Sequence, residues 1–112
     1  MSDTGTSVKQ IFSEMPARLN AEVAAGMDAA FQYNLTGDGA GQYYTHIKNG
    51  GVEVSEGEHP APAVTVTMSA ADFVELSQGR LDGIMAFMTG KLKATGDLGL
   101  ASKLQKLFRR GA

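Results

Sequence analysis

Between Ala29 and Val54 apolar residues recur at every second position, and turn residues break the run twice. Ala29, Phe31, Tyr33 and Leu35 alternate with Ala30, Gln32, Asn34 and Thr36. Tyr43, Thr45 and Ile47 alternate with Gln42, Tyr44, His46 and Lys48, and Val52 and Val54 with Glu53 and Ser55. A period of two puts one set of side chains on one face of a sheet. Gly37-Asp38-Gly39-Ala40-Gly41 separates the first two runs. Asn49-Gly50 separates the last two, and a type I′ turn selects that pair because both central residues take positive φ. Connections this short join antiparallel neighbours, since parallel ones need a long crossover. The stretch is predicted to be a three-stranded meander with one half-buried face, which the rest of the chain must cover.

The flanking segments carry the helical period. Ser7 followed by Gln10 forms a capping-box pattern. Val8, Ile11, Phe12, Met15, Leu19 and Val23 then share an arc of roughly 120° at ~100° per residue. Pro16 predicts a kink or restart, Asn20 caps a short continuation, and Gly26 ends it. Residues 56–62 form a loop with two prolines, followed by a strand with Val64, Val66 and Met68 on one side. Ser69 and Asp72 start a helix presenting Phe73, Val74 and Leu76, which stops near Gly79. Asp82 starts another with Ile84, Met85, Phe87 and Met88, ended by Gly90. Lys91 to Thr95 is a short fifth strand with Leu92 and Ala94 on one side. Asp97 caps the last helix, where Leu100, Ala101, Leu104, Leu107 and Phe108 share one arc. Lys103, Lys106, Arg109 and Arg110 share the opposite arc, with Gln105 at the apolar edge. The order predicts an α+β fold, with helices against one face of a mostly antiparallel sheet. Residues 1–6 are expected to be a flexible N-terminus and residues 7–110 a single domain.

Composition narrows the chemistry. The chain has 112 residues, enough for one domain. It has no Cys, which removes disulfides, thiolate zinc sites, iron–sulfur clusters and thiol nucleophiles. Of the two histidines, His46 lies on a strand beside Tyr44 and Lys48, and His59 lies in the Pro-flanked loop. Neither belongs to a nucleophile motif, so each is expected to be solvated or singly hydrogen-bonded. The Gly-x-Gly at 37–39 joins two strands instead of opening a helix, and Gly90-Lys91 lacks the remainder of a phosphate loop. Glu53, Glu56 and Glu58 are expected to be solubilising charge. No catalytic site, metal site or cofactor is expected.

Charge is unevenly spread. Lys91, Lys93, Lys103, Lys106, Arg109 and Arg110 follow residue 90, accompanied by a single acid, Asp97, while the body before them is acidic. A basic end on an acidic body suits transient contact with an anionic membrane surface. The acidic body and the lack of interleaved aromatics argue against nucleic acid. The sequence shows no secretory signal, no run of the ~20 apolar residues that span a bilayer, and no Ser-Lys-Leu end, so a cytoplasmic location is expected. Six Met add adaptable apolar side chains.

The segment Ala86 to Phe108, Ala-Phe-Met-Thr-Gly-Lys-Leu-Lys-Ala-Thr-Gly-Asp-Leu-Gly-Leu-Ala-Ser-Lys-Leu-Gln-Lys-Leu-Phe, closely resembles the C-terminal signature of the sterol carrier protein type 2 family. Ile11-Phe12, Met15-Pro16-Ala17-Arg18, the Phe31–Gly37 strand, Lys48-Asn49-Gly50 and Val64 to Ser69 before Asp72-Phe73 fit it too. The resemblance covers about residues 7–110 and suggests a stand-alone, bacterial-type member. It implies a five-stranded mixed sheet covered on one face by helices and enclosing an apolar tunnel. It also implies non-covalent binding of a fatty acid, fatty acyl-CoA, sterol-like or other lipid. Carried over by position, Phe73, Leu76, Ile84, Phe87, Met88, Leu100, Ala101 and Leu104 are expected to wall the tunnel. Gln105 is the expected polar contact. Lys103, Lys106, Arg109 and Arg110 are expected to meet lipid phosphates or CoA. The alternative is an accessory or scaffold domain that binds an enzyme partner of lipid metabolism.

Overall fold

The computed structural model describes residues 4–108, with the side chains of 4–6 and 105 set aside. Five helices, α1 (Thr4–Arg18), α2 (Ala21–Ala24), α3 (Ala70–Ser77), α4 (Gly83–Met88) and α5 (Leu98–Leu107), accompany five strands. The strands are β1 (Ala29–Thr36), β2 (Gly41–Lys48), β3 (Gly51–Glu56), β4 (Val64–Ser69) and β5 (Leu92–Gly96). They form one mixed sheet in the order β3-β2-β1-β4-β5. The meander is present: β1 pairs antiparallel with β2, and β2 with β3. Asn49 and Gly50 take φ of 54° and 77°, as a type I′ turn demands. β4 pairs parallel with β1, setting Phe31 opposite Val64 and Tyr33 opposite Val66. β5 closes the edge antiparallel to β4. The fold is α+β, as expected.

The core lies between the helices and one sheet face. Phe12 of α1 stacks on Tyr43 of β2 at 4.2 Å between ring centroids and on Phe73 of α3 at 5.1 Å, and meets Tyr33 edge-on at 5.3 Å. These offset and edge contacts are the arrangements aromatic quadrupoles favour. Ile47, Val64 and Phe31 are wholly buried beside them.

Each helix start that the sequence marked with a polar cap, apart from Ser7, carries the corresponding bond. Asn20 accepts from the Glu22 N–H, Ser69 from Asp72, Asp97 from Leu100, and Asp82 from both Ile84 and Met85. Ser7 lies inside α1 instead of capping it, because the helix already begins at Thr4. Pro16 also lies inside α1. Its missing N–H removes one bond, and the break falls just beyond Arg18, before α2 restarts from Asn20. β5 starts at Leu92, one residue later than expected. Phe108 leaves the helical arc and pairs with Leu19 in an isolated antiparallel bridge.

β1 is not half-buried. Ala30 and Gln32, on the face away from the helices, are 5% and 3% exposed. The Pro-containing loop folds over them. The Gln32 amide donates to the Gly57 carbonyl at 3.0 Å and accepts from the His59 N–H at 2.8 Å, so this buried polar side chain is satisfied. The Ala63 N–H donates to the Ala30 carbonyl. A central strand covered on both faces loses the exposed row that alternation predicts.

Candidate functional site

α4 departs furthest from the sequence reading. Ile84, Phe87 and Met88 were expected to face inward. Only Ala86, wholly buried, does so completely. Ile84 and Phe87, three positions apart, share one side of the helix, and Met85 and Met88 share another. A six-residue helix that is apolar all round gives no signal of which side is inside.

The Ile84–Phe87 side borders a cavity of about 300 Å³. The sheet contributes Tyr33, Val66, Leu92 and Ala94. Registry explains this wall: Val66 stands opposite Ala94 and Met68 opposite Leu92, so β4 and β5 present them on one face. The helices contribute Ile11 and Met15 from α1, Phe73 and Leu76 from α3, and Ala101 and Leu104 from α5. Small residues (Ser77, Gly83, Ala94, Ala101 and Ser102) recur in the lining. They leave space where larger side chains would fill the gap between α4, α5 and β5.

Six residues expected at a ligand wall line this cavity: Phe73, Leu76, Ile84, Phe87, Ala101 and Leu104. Met88 does not; it is 73% exposed on the outer side of α4. Leu100 does not either, because it packs against the core next to the cavity. The Gln105 side chain, Arg109 and Arg110 lie outside the described residues. Lys103 and Lys106 are exposed on α5. Ile84, Phe87 and Leu98 line the cavity yet are 62%, 49% and 58% exposed, so the cavity reaches the surface between α4 and the start of α5.

Arg18 was not singled out from the sequence. It is the one charged side chain among the described lining residues. Its position follows Ile11 and Met15 by seven and three residues, which keeps it on their side of α1. Its guanidinium pairs with Glu14 at 2.5 Å. The other polar groups of the lining are engaged locally. Ser77 donates to the Val74 carbonyl and Ser102 to the Gly99 carbonyl, both at 2.8 Å. The Tyr33 hydroxyl pairs with Thr45 at 3.4 Å. Burial pushes the Tyr33 phenol well above its usual range, and the Thr45 bond offsets only part of that. Arg18 is therefore the lining side chain with donors to offer a guest.

On the opposite side of the sheet, the His46 ring lies 2.8 Å from an Asp28 carboxylate oxygen. Among the described residues no group of three or more His, Cys, Asp or Glu is placed to hold a metal ion, and no helix is long and apolar enough to cross a membrane.

Residues 8–109 match the SCP-2 sterol transfer family. The chain belongs to that family. Sterol carrier protein 2 of Yarrowia lipolytica, in its apo form, is 28% identical with a TM-score of 0.76, over 96% of this chain and 92% of that one. Palmitated SCP2L2 of Aedes aegypti is 27% identical with a TM-score of 0.74, over 100% of this chain and 99% of that one. Hydroxysteroid dehydrogenase-like protein 2 of Danio rerio is 37% identical over 102 residues, which are 90% of this chain and 25% of that protein. The chain thus spans about a quarter of the length of that relative. In all three matches the likeness runs through nearly the whole chain.

Proposed function

We propose that this chain is a non-catalytic lipid-binding domain that holds a fatty acyl chain in the cavity, with the acyl carboxylate at Arg18. The observation that carries the reading is the apolar cavity, about 300 Å³ in volume and carrying one charged side chain in its described lining. Ligand sites begin at about that volume. Each buried methylene contributes roughly 0.8 kcal/mol, less the cost of association and ordering. Apolar burial of this kind discriminates weakly between chain lengths, and Met15 in the wall adapts to different tails. The palmitated relative from Aedes aegypti supports the ligand class.

Native mass spectrometry of the purified protein, followed by titration with palmitate, palmitoyl-CoA and a sterol, tests this reading. Bound fatty acid that Leu104→Arg displaces, with unchanged far-UV circular dichroism, is the expected result. Failure of every lipid class to bind defeats it.

A second reading rests on the Danio rerio relative, in which the matching segment is a quarter of a longer dehydrogenase-like protein. Here the domain serves an enzyme of lipid metabolism as an accessory, holding substrate or docking the enzyme. Co-purification of such an enzyme with wild-type protein and with Leu104→Arg alike would favour this reading over a carrier.

A further inference from the structure

Met85 and Met88 are 56% and 73% exposed on the outer side of α4, and neither lines the cavity. Together with the exposed sides of Ile84, Phe87 and Leu98 they make an apolar surface patch. A contiguous patch of this kind marks an interaction surface. Two observations say what covers it. First, Ile84, Phe87 and Leu98 belong to both the patch and the cavity lining, so whatever covers the patch sits on the cavity mouth. Second, the flanking charge is basic. Lys91 follows α4, and Lys103 and Lys106 lie on α5, which Leu98 begins, all exposed. The acids nearest in sequence, Asp82 and Asp97, are engaged as helix caps. Apolar side chains flanked by lysines match an anionic bilayer, whose phosphates meet the cations while its acyl layer takes up the apolar residues.

We propose that the outer face of α4, with Leu98, docks the domain on an anionic lipid surface, so that the cavity mouth opens onto the acyl layer. The proposal builds on the lipid-binding reading, and its test separates the two because Met85 and Met88 lie outside the cavity lining. Vesicles of phosphatidylcholine containing phosphatidylglycerol, and vesicles of phosphatidylcholine alone, are sedimented with wild-type protein and with the double variant Met85→Glu, Met88→Glu. Wild-type protein is expected to bind the anionic vesicles, less tightly as salt rises. The double variant is expected to lose about tenfold or more in vesicle binding while its palmitate titration is unchanged. The chain has no Trp, so Met88→Trp supplies a single reporter that leaves the face apolar. The emission of this variant is expected to shift to the blue on anionic vesicles and to be quenched by spin-labelled lipid.

No vesicle binding by wild-type protein, equal binding to neutral and anionic vesicles, or an unshifted emission from the Met88→Trp variant overturns the proposal. So does a wild-type dimer in sedimentation that the double variant converts to monomer without any vesicle binding, which would make the patch a contact between two copies. Vesicle binding without palmitate binding would defeat the ligand reading and leave the docking surface standing.

Discussion

The backbone N–H of Asn20 donates to the carbonyl of Leu107 at 2.7 Å, tying the break after α1 to the end of α5. The bridge between Leu19 and Phe108 continues the same pairing. Together they hold Arg18 and Phe108, both lining residues, beside each other in the cavity wall. Asn20 acts twice, since its side chain also caps α2. Asn20→Ala removes the cap alone and is expected to cost about 1 kcal/mol. Asn20→Pro removes the cap and the N–H, and is expected to cost about 2 kcal/mol in all. Urea midpoints of the two variants measure the difference, and equal midpoints would mean that the Leu107 bond contributes nothing.

Gly50 and Gly96 both take positive φ, 77° and 99°, but in different surroundings. A Cβ on Gly50 meets nothing, whereas a Cβ on Gly96 overlaps the Ala63 carbonyl. Gly50→Ala is therefore expected to cost about 1 kcal/mol, from backbone strain alone. Gly96→Ala is expected to cost on the order of 3 kcal/mol or more, because the Ala63 backbone joins β1 to the α5 cap and has little room to yield. Thermal melts rank the two, and a reversed order would contradict the close approach of Gly96 to Ala63.

Gln32 secures the loop on the back of the sheet. Gln32→Ala leaves the Gly57 carbonyl and the His59 N–H without their partner and is expected to cost about 1–3 kcal/mol. Hydrogen exchange at the His59 amide is expected to speed up in this variant. Gln32→Glu retains an acceptor for His59 but no donor for Gly57, so it is expected to be destabilised while its His59 amide stays protected.

These sites show why parts of the molecule are legible in the sequence and others are not. Strand runs, the Asn49-Gly50 turn and the caps at Asn20, Ser69, Asp82 and Asp97 depend on residues a few positions apart, so local pattern reveals them. The burial of Gln32 depends on Gly57, 25 residues away, and alternation alone wrongly put that face in water. The parallel pairing of β1 with β4 spans the whole β2–β3 hairpin and leaves no local mark. Apolar periodicity put Phe73, Leu76, Ala101 and Leu104 on the inner sides of α3 and α5, but it could not tell a packed contact from a hollow; only the family resemblance implied a wall there. That distinction depends on small residues such as Ala94 and Ala101 meeting across elements. Met88 and Leu100, implied by the same resemblance, stand outside the lining of this cavity. Arg18 reaches the lining only because α1 packs over α3 and the sheet, which no local pattern reveals.

Tyr33 gives the fold an alkaline limit. Its phenol is held well above the usual 10.0 by burial. Below pH 10 both folded and unfolded chains keep the proton, and stability does not depend on this group. Above pH 10 the unfolded chain releases it and the folded chain does not, so stability falls by about 1.4 kcal/mol per pH unit. Tyr33→Phe is expected to be less stable at neutral pH, through the lost Thr45 bond, and to show a flatter decline above pH 10. Urea melts from pH 8 to 11 provide the comparison, and parallel declines would show that Tyr33 titrates normally.

The proposed carboxylate site at Arg18 makes a prediction about headgroup preference. A hydrogen bond to a charged partner contributes about 1.5–3 kcal/mol, and about 1.4 kcal/mol is a factor of ten in affinity. Arg18→Ala is therefore expected to weaken palmitate binding by about tenfold to a hundredfold and to leave hexadecanol, which has the same tail without the charge, nearly unaffected. Losing the partly exposed Glu14 pair costs the fold under about 1 kcal/mol, so the variant is expected to remain folded. Arg18→Lys keeps the charge but not the planar fork, and is expected to fall between wild type and Arg18→Ala. Equal losses for acid and alcohol would make Arg18 a packing residue of the cavity wall. No loss for either would place the carboxylate elsewhere, at the α4 mouth.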